Sequence, residues 1–131
     1  MNRSKQQLLA LYLLMLLAHQ AHVVEEAWGR FFLVEVYGLG LYLALNWLLF
    51  CIPVGLLFFV ITDRPLAYTL SLVYAGFMAI QGIGHNVVTI ATGRYFDGFA
   101  GGLTGIPMCV IGALLFRMLW KERKVLKCQT S

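Results

Sequence analysis

Four apolar stretches, each about the length of a membrane-spanning helix, make up most of this 131-residue chain. A helix needs roughly 20 apolar residues to cross a bilayer, so a chain of this length has room for four spans and little else. The sequence therefore predicts an all-α fold, a four-transmembrane-helix bundle that forms a single integral membrane domain. The predicted spans cover residues 6–26, 41–62, 66–92 and 103–120.

Composition agrees with a multi-pass protein of the cell membrane, of the bacterial inner-membrane kind. Apolar residues make up 60% of the chain and charged residues 12%, whereas soluble domains contain about 45–50% and about 25%. The formal net charge of +4 does not indicate nucleic-acid binding, because four of the ten basic residues fall in the last eleven positions, where cytoplasmic anchoring charges belong. We expect membrane lipids as partners, with a homodimer left open.

The distribution of basic residues predicts that both termini are cytoplasmic. Eight of the ten lysines and arginines lie near the two termini or, in the case of Arg64, in the second connection, whereas the first and third connections together contain only Arg30 and Arg94. Residues 121–131 are expected to form a basic cytoplasmic tail. Residues 27–40 mix aromatic and charged side chains, which predicts an interfacial segment between helices 1 and 2. Pro53 predicts a kink in helix 2.

Three ionisable residues stand together at the end of the first span: His22, Glu25 and Glu26. A charge near the bilayer centre costs at least roughly 2.5–3.5 kcal/mol, which favours a functional reason for keeping them. Both glutamates share a helix face with His22, and imidazoles beside carboxylates suit general acid–base catalysis. We predict all three as catalytic residues. The alternative, that the glutamates only mark the water interface, stays open.

The other candidates lie in the second and third spans. His85 follows two glycines and shares a polar helix face with Gln81, and Asn46 is an isolated polar residue in an apolar helix. The predicted topology brings these residues to the outer depth of His22. We predict His85 as catalytic, and Asn46, Gln81 and Asn86 as substrate-binding, around one polar pocket open to the non-cytoplasmic side.

A divalent metal is an alternative use of the same residues. Two histidines and two carboxylates could bind zinc or iron with an open position, so the candidate ligands are His22, Glu25, Glu26 and His85. No other cofactor is predicted, because the chain has no nucleotide-binding glycine loop and no haem motif. The three cysteines show no paired spacing and are expected to be packing residues.

Three motifs together resemble the HXXEE family of small integral membrane proteins. They are His22-Val-Val-Glu25-Glu26, Gly84-His85-Asn86 and the following Arg94-Tyr95-x-x-Gly98. The resemblance covers most of the chain in order and spacing. It implies a four-helix membrane protein with enzymatic activity. The functional residues that it implies are His22, Glu25, Glu26, His85 and Asn86.

The chain departs from that family at two places. The family also carries an Asn-x-x-x-Glu element, but Asn46 is followed four residues later by Phe50. The missing carboxylate is either absent or supplied elsewhere, for example by Glu35. In addition, Asp97 stands where a proline is more usual. The first departure removes a candidate acid, base or ligand.

Three functions remain open from the sequence. The first is a lipid-active enzyme with an outer-leaflet pocket, such as an isomerase, cyclase or hydrolase acting on an isoprenoid-like substrate through acid–base chemistry. The second is a metal-dependent membrane enzyme. The third is a non-enzymatic protein, either a small proton-coupled transporter or a structural membrane protein.

Overall fold

The computed structural model describes residues 3–94 and 102–130 and folds them into helices, which confirms the all-α prediction. Three of the helices are long and apolar enough to cross a membrane. They are α1 (Arg3–Trp28), α2 (Phe32–Ile61) and α3 (Pro65–Thr92), and they are followed by α4 (Gly105–Thr130). The remaining residues of the third connection, Tyr95, Asp97 and Gly98 among them, lie outside the described part of the chain.

The fourth helix is longer and more polar than the predicted span. Its first 18 residues already contain Arg117, Lys121 and Glu122, so its apolar part is shorter than those of α1 to α3. The helix runs on to Thr130, ten residues beyond the end of the predicted span. No glycine or proline follows Gly112, and nothing in the sequence therefore ends the helix early.

The second helix begins nine residues before its predicted start. Residues 32–37 form a short helix that is separated from the rest of α2 by non-helical geometry at Gly38, with φ of 76° and ψ of 153°. That this region lies at the membrane interface stays a prediction. Glycine reaches such dihedrals without the steric cost that a Cβ imposes. Pro53 lies inside the helix, but the non-helical residue of α2 is Gly38.

The core lies mainly between α1, α3 and α4. α3 and α4 approach most closely where they cross at glycines: a Cβ added at Gly82 would collide with the backbone carbonyl of Gly105, and one at Gly112 would approach Ala75 O to 2.9 Å. Small residues that let backbones meet are typical of helix pairs in membranes. α2 buries few residues by comparison, and it leaves a gap against α1 and α3.

At the N-terminal end of α1, a buried lysine joins three elements. Lys5 Nζ donates to Val60 O and to Tyr68 Oη, both at 2.6 Å, and forms an ion pair with Asp63 in the turn between α2 and α3. Desolvation acts to raise the pKa of Asp63, but the hydrogen bonds from Lys5 and Tyr68 outweigh it and hold this pKa below its usual value. The buried ammonium is therefore paired.

Candidate functional site

Three ionisable side chains meet at the other end of α1. Glu26 Oε1 lies 3.4 Å from His22 Nε2 and 3.3 Å from His85 Nε2. The residues are 8%, 1% and 1% exposed, respectively. The His22 and His85 rings meet edge to face with centroids 4.6 Å apart. We call His22, Glu26 and His85 the buried triad.

The local sequence explains how the triad assembles. His22 and Glu26 are four residues apart on α1 and therefore project from the same face of the helix. His85 is delivered from α3, and the Phe31 ring covers it at a centroid distance of 5.6 Å. Phe31 lies at the short break between α1 and α2, so this break places an apolar cover over the triad.

The hydrogen bonds of Glu26 are divided between its two oxygens. Oε2 accepts a hydrogen bond from Tyr42 Oη, which orients the carboxylate. Among residues 3–94 and 102–130, Oε1 and His22 Nε2 make no well-aligned hydrogen bond, although both atoms are buried and lie 3.4 Å apart. Buried polar atoms are rarely left in that state, and an atom of this kind at a cluster of ionisable groups indicates a place for a proton, a ligand or a metal.

Glu25 has a different position from its neighbour. Its carboxylate accepts hydrogen bonds from the backbone N–H groups of Leu103 and Thr104, each at 3.0 Å, and from the Thr104 hydroxyl. It thus occupies the positive N-terminal end of α4, where backbone N–H groups attract anions. Glu25 acts as an anchor for α4, and its Oε2 also lies 3.8 Å from His22 Nδ1. Its place in the catalytic group stays a prediction.

Thr104 connects this anchor to the triad. Its Oγ1 lies 2.8 Å from His22 Nδ1, while the same hydroxyl bonds to Glu25. If the hydroxyl donates to the carboxylate, it accepts from Nδ1–H of His22, and the lone pair of His22 Nε2 then faces Glu26 and His85. Sequence reasoning gave neither Thr104 nor Tyr42 a role here. A threonine after a glycine-rich loop at a helix start is a capping pattern that could have identified the first.

A cavity of about 650 Å³ lies between α1, α2 and α3, beside two members of the triad; His85 is not among the residues that line it. His22 and Glu26 contribute to its wall, and so do the predicted substrate-binding residues Asn46 and Gln81. His19, also in the wall, lies 3.2 Å from Tyr74 Oη through Nδ1. The rest of the lining is mainly apolar: Val23, Phe31, Leu33, Tyr37, Tyr42, Leu45, Leu49, Ile52, Pro53, Leu56, Leu70, Val73, Phe77 and Met78.

Asn86, the third predicted substrate-binding residue, lies apart from this cavity. Its Nδ2 donates to Gly82 O at 2.7 Å, and a Cβ added at Gly105 would come within 2.6 Å of the same nitrogen. Asn86 therefore packs between α3 and the start of α4. Glu35 is exposed on α2 and does not line the cavity, so it does not replace the carboxylate that the family pattern would supply.

The triad could hold a metal ion. One ligand atom from each of His22, Glu26 and His85 lies within 4.8 Å of the others. Zinc–ligand distances of about 2.0–2.2 Å place neighbouring ligands about 3.0–3.5 Å apart, which agrees with the two separations measured from Glu26. Two imidazoles and one carboxylate are a donor set that zinc and non-haem iron accept. Glu25, included among the predicted ligands, is outside this group.

Comparison of the chain with models of known protein families, with curated proteins and with solved structures finds no match. The resemblance to the HXXEE family therefore stays a prediction that rests on the three motifs.

Proposed function

We propose that this chain is an integral membrane enzyme that acts on the polar end of an amphiphile, with the buried triad as its reactive centre. The observation that carries the proposal is the position of Glu26, whose Oε1 is shared by two imidazoles at one end of an apolar cavity. Packing alone gives no reason to bury three ionisable groups together, because each loses its hydration.

The chemistry that these groups support best is proton transfer. A carboxylate between two imidazoles can take a proton from a substrate atom and pass one to another atom, as general acid–base catalysis requires. Tyr42 holds one oxygen of Glu26 in place, so Oε1, a buried oxygen without a hydrogen bond among the described residues, is the one left to exchange a proton with a substrate. Isomerisation, cyclisation or hydrolysis of a lipid needs no redox partner and fits this inventory.

The proposed substrate is a lipid-like molecule because of the walls of the cavity. Ligand sites are typically about 300–1,000 Å³ and mostly apolar, with a few polar groups that fix orientation. Here the apolar wall formed by α2 and α3 leads to Glu26, while Asn46 and Gln81 are the amide groups along it. An apolar chain would occupy the wall and its polar end would reach Glu26.

The proposal includes a membrane topology. We place α4 as a fourth span beside α3, both termini in the cytoplasm, and the triad toward the outer leaflet of a bacterial inner membrane. The close glycine-mediated packing of α3 on α4 supports a membrane position for both helices. Cysteine labelling of residues near each terminus in sealed vesicles tests this topology.

Lipid that co-purifies with the protein can be used to test the proposed function. Glu26→Gln keeps the shape of the side chain and its contact with Tyr42 but removes the carboxylate. We expect lipid extracted from the purified variant to be enriched in unreacted substrate, whereas the wild type and the exposed control Glu35→Gln carry product or no enriched species. The same lipid composition in all three proteins would overturn the proposal, provided that each is folded.

A second candidate function is metal-dependent catalysis, favoured by the ligand-like spacing of the triad and by the buried His22 Nε2 and Glu26 Oε1, which have no hydrogen-bond partner among the described residues. His22, Glu26 and His85 would hold the ion. Such an ion supplies Lewis acidity and an activated water. Thr104 would orient His22 from its other nitrogen, which is the usual arrangement around metal-bound histidines.

Metal analysis decides between the two candidates. The metal reading predicts about one equivalent of a divalent ion in purified wild-type protein and in His19→Ala, a matched control because His19 lines the same cavity outside the triad. It predicts loss of the ion from His85→Ala. Less than about a tenth of an equivalent in the wild type after loading with zinc and iron would end this reading and leave acid–base chemistry.

A further inference from the structure

The described wall of the cavity contains a carboxylate but no lysine or arginine. Glu26 is a carboxylate in its wall, and none of the lining residues among 3–94 and 102–130 is a lysine or an arginine. Anionic headgroups such as phosphates are bound in proteins by arginine, by lysine or by backbone N–H groups at helix N-termini. The first two kinds of group are missing from the described wall.

Groups of the third kind are occupied at the start of α4. This helix start lies beside His22, whose Nδ1 is 2.8 Å from Thr104 Oγ1, and Glu25 accepts hydrogen bonds from the N–H groups of Leu103 and Thr104. A phosphate that approached this place would meet one carboxylate bound there and a second at Glu26. The backbone N–H groups at the start of α4 are thus already bound to an anion of the protein itself.

We infer that the cavity selects an amphiphile whose polar end carries no negative charge and donates a hydrogen bond, such as an isoprenoid alcohol. The hydroxyl donates to Glu26 Oε1, the buried oxygen that makes no hydrogen bond among the described residues, and the apolar chain lies along the wall formed by α2 and α3. This inference rests on the proposed function for the position of the site and adds the class of ligand. Phosphorylated lipids are excluded from the site.

Binding of a matched pair of probes tests the inference without any need for turnover. Farnesol and farnesyl phosphate share one chain and differ in the charge of the head. We expect metal-free protein in nanodiscs of uncharged lipid to bind the alcohol at least about tenfold more tightly than the phosphate, because a carboxylate within a few ångströms of the head repels the anion. Equal binding of both probes, or tighter binding of the phosphate, would overturn the inference.

Two variants identify the source of the preference. Glu26→Gln should reduce the discrimination by about tenfold or more, and Glu35→Gln, which lies outside the cavity, should leave it unchanged. Gln81→Lys adds a cation to the wall and should raise the affinity for the phosphate alone. A preference that persists unchanged in both Glu26→Gln and Gln81→Lys contradicts the inference.

The result is separable from the proposed enzymatic function. A protein that binds the alcohol selectively but changes no lipid supports the inference and counts against the enzyme. A protein that alters lipids but binds both probes equally retains the enzyme and loses the inference.

Discussion

The two ends of α1 bury ionisable groups in opposite ways. At one end Lys5 is surrounded by an acceptor carbonyl, a phenol and the carboxylate of Asp63. At the other end, Glu26 and His22 are equally buried, yet each has an atom that makes no hydrogen bond among the described residues.

Under the proposed function, this difference separates a structural group from a reactive one. A buried charge that is paired and hydrogen-bonded recovers part of its desolvation cost and ties elements together. A buried group with unused hydrogen-bonding capacity destabilises the fold unless a proton, ligand or metal completes it. The neighbouring glutamates repeat the contrast, because Glu25 is engaged by the start of α4 whereas one oxygen of Glu26 faces the histidines.

The largest effect is expected from a substitution in the buried triad. Glu26→Gln should lower turnover of the lipid substrate by about 10²–10⁴-fold, the usual contribution of a general acid or base. The fold should survive, because glutamine keeps the size of the side chain and its amide oxygen can still accept the hydrogen bond from Tyr42. Rates per folded molecule, together with SDS-induced unfolding in detergent, measure both quantities. Loss of folding without loss of specific activity would reverse the assignment.

The next largest effect is expected at Thr104. Thr104→Val removes the hydroxyl between His22 and Glu25 at nearly constant shape, and we expect turnover or metal affinity to fall by about 10–100-fold, as for other residues that orient a ligand histidine. Thr104→Ser keeps the hydroxyl and should retain most of the function. Nitrogen NMR of the imidazoles, which number three in this chain, should report a changed tautomer balance at His22 in the valine variant only.

A substitution at Lys5, at the N-terminal end of α1, should lower the stability of the protein and leave its activity unchanged. Lys5→Met removes the ammonium from Val60, Asp63 and Tyr68 while it keeps a long apolar side chain, and we expect a loss of about 1–3 kcal/mol in the free energy of unfolding, the cost of leaving buried partners unsatisfied. Turnover per folded molecule should stay at the wild-type level. A specific loss of turnover would show that this end also serves the reaction.

The smallest effect concerns the orientation of Glu26. Tyr42→Phe deletes the hydroxyl that bonds to Glu26 Oε2 and should cost about 0.5–1.5 kcal/mol, the net value of a typical hydrogen bond. The loss should appear as about a two- to twelvefold lower turnover at saturating substrate. Tyr37→Phe, which alters another tyrosine of the same cavity, serves as the control and should leave turnover unchanged.

The helices themselves could be predicted from the sequence because long apolar runs have few alternatives in lipid. Boundaries were predicted less well. The extension of α2 to Phe32 depends on Gly38 adopting a positive φ within an otherwise helical segment, which composition does not indicate. The length of α4 was missed because a change from apolar to charged residues marks the end of an apolar surface and does not end a helix.

Part of the site could be predicted from the spacing of polar residues along the helices. Helical spacing put Glu26 beside His22, and the polar face of α3 pointed to His85. The separation of Glu25 from Glu26 could not be predicted, because adjacent residues differ by about 100° around a helix and their partners depend on where α4 begins. Asn86 looked like a pocket residue, but the close approach of Gly82 and Gly105 places it between helices.

The most direct test of the central claim compares lipids from cells that produce the wild type, Glu26→Gln or Lys5→Met at matched amounts of folded protein. The account predicts one lipid species that is converted by the wild type and by Lys5→Met but remains unconverted with Glu26→Gln. Identical lipid profiles for the wild type and Glu26→Gln, or conversion lost only in Lys5→Met, would contradict it.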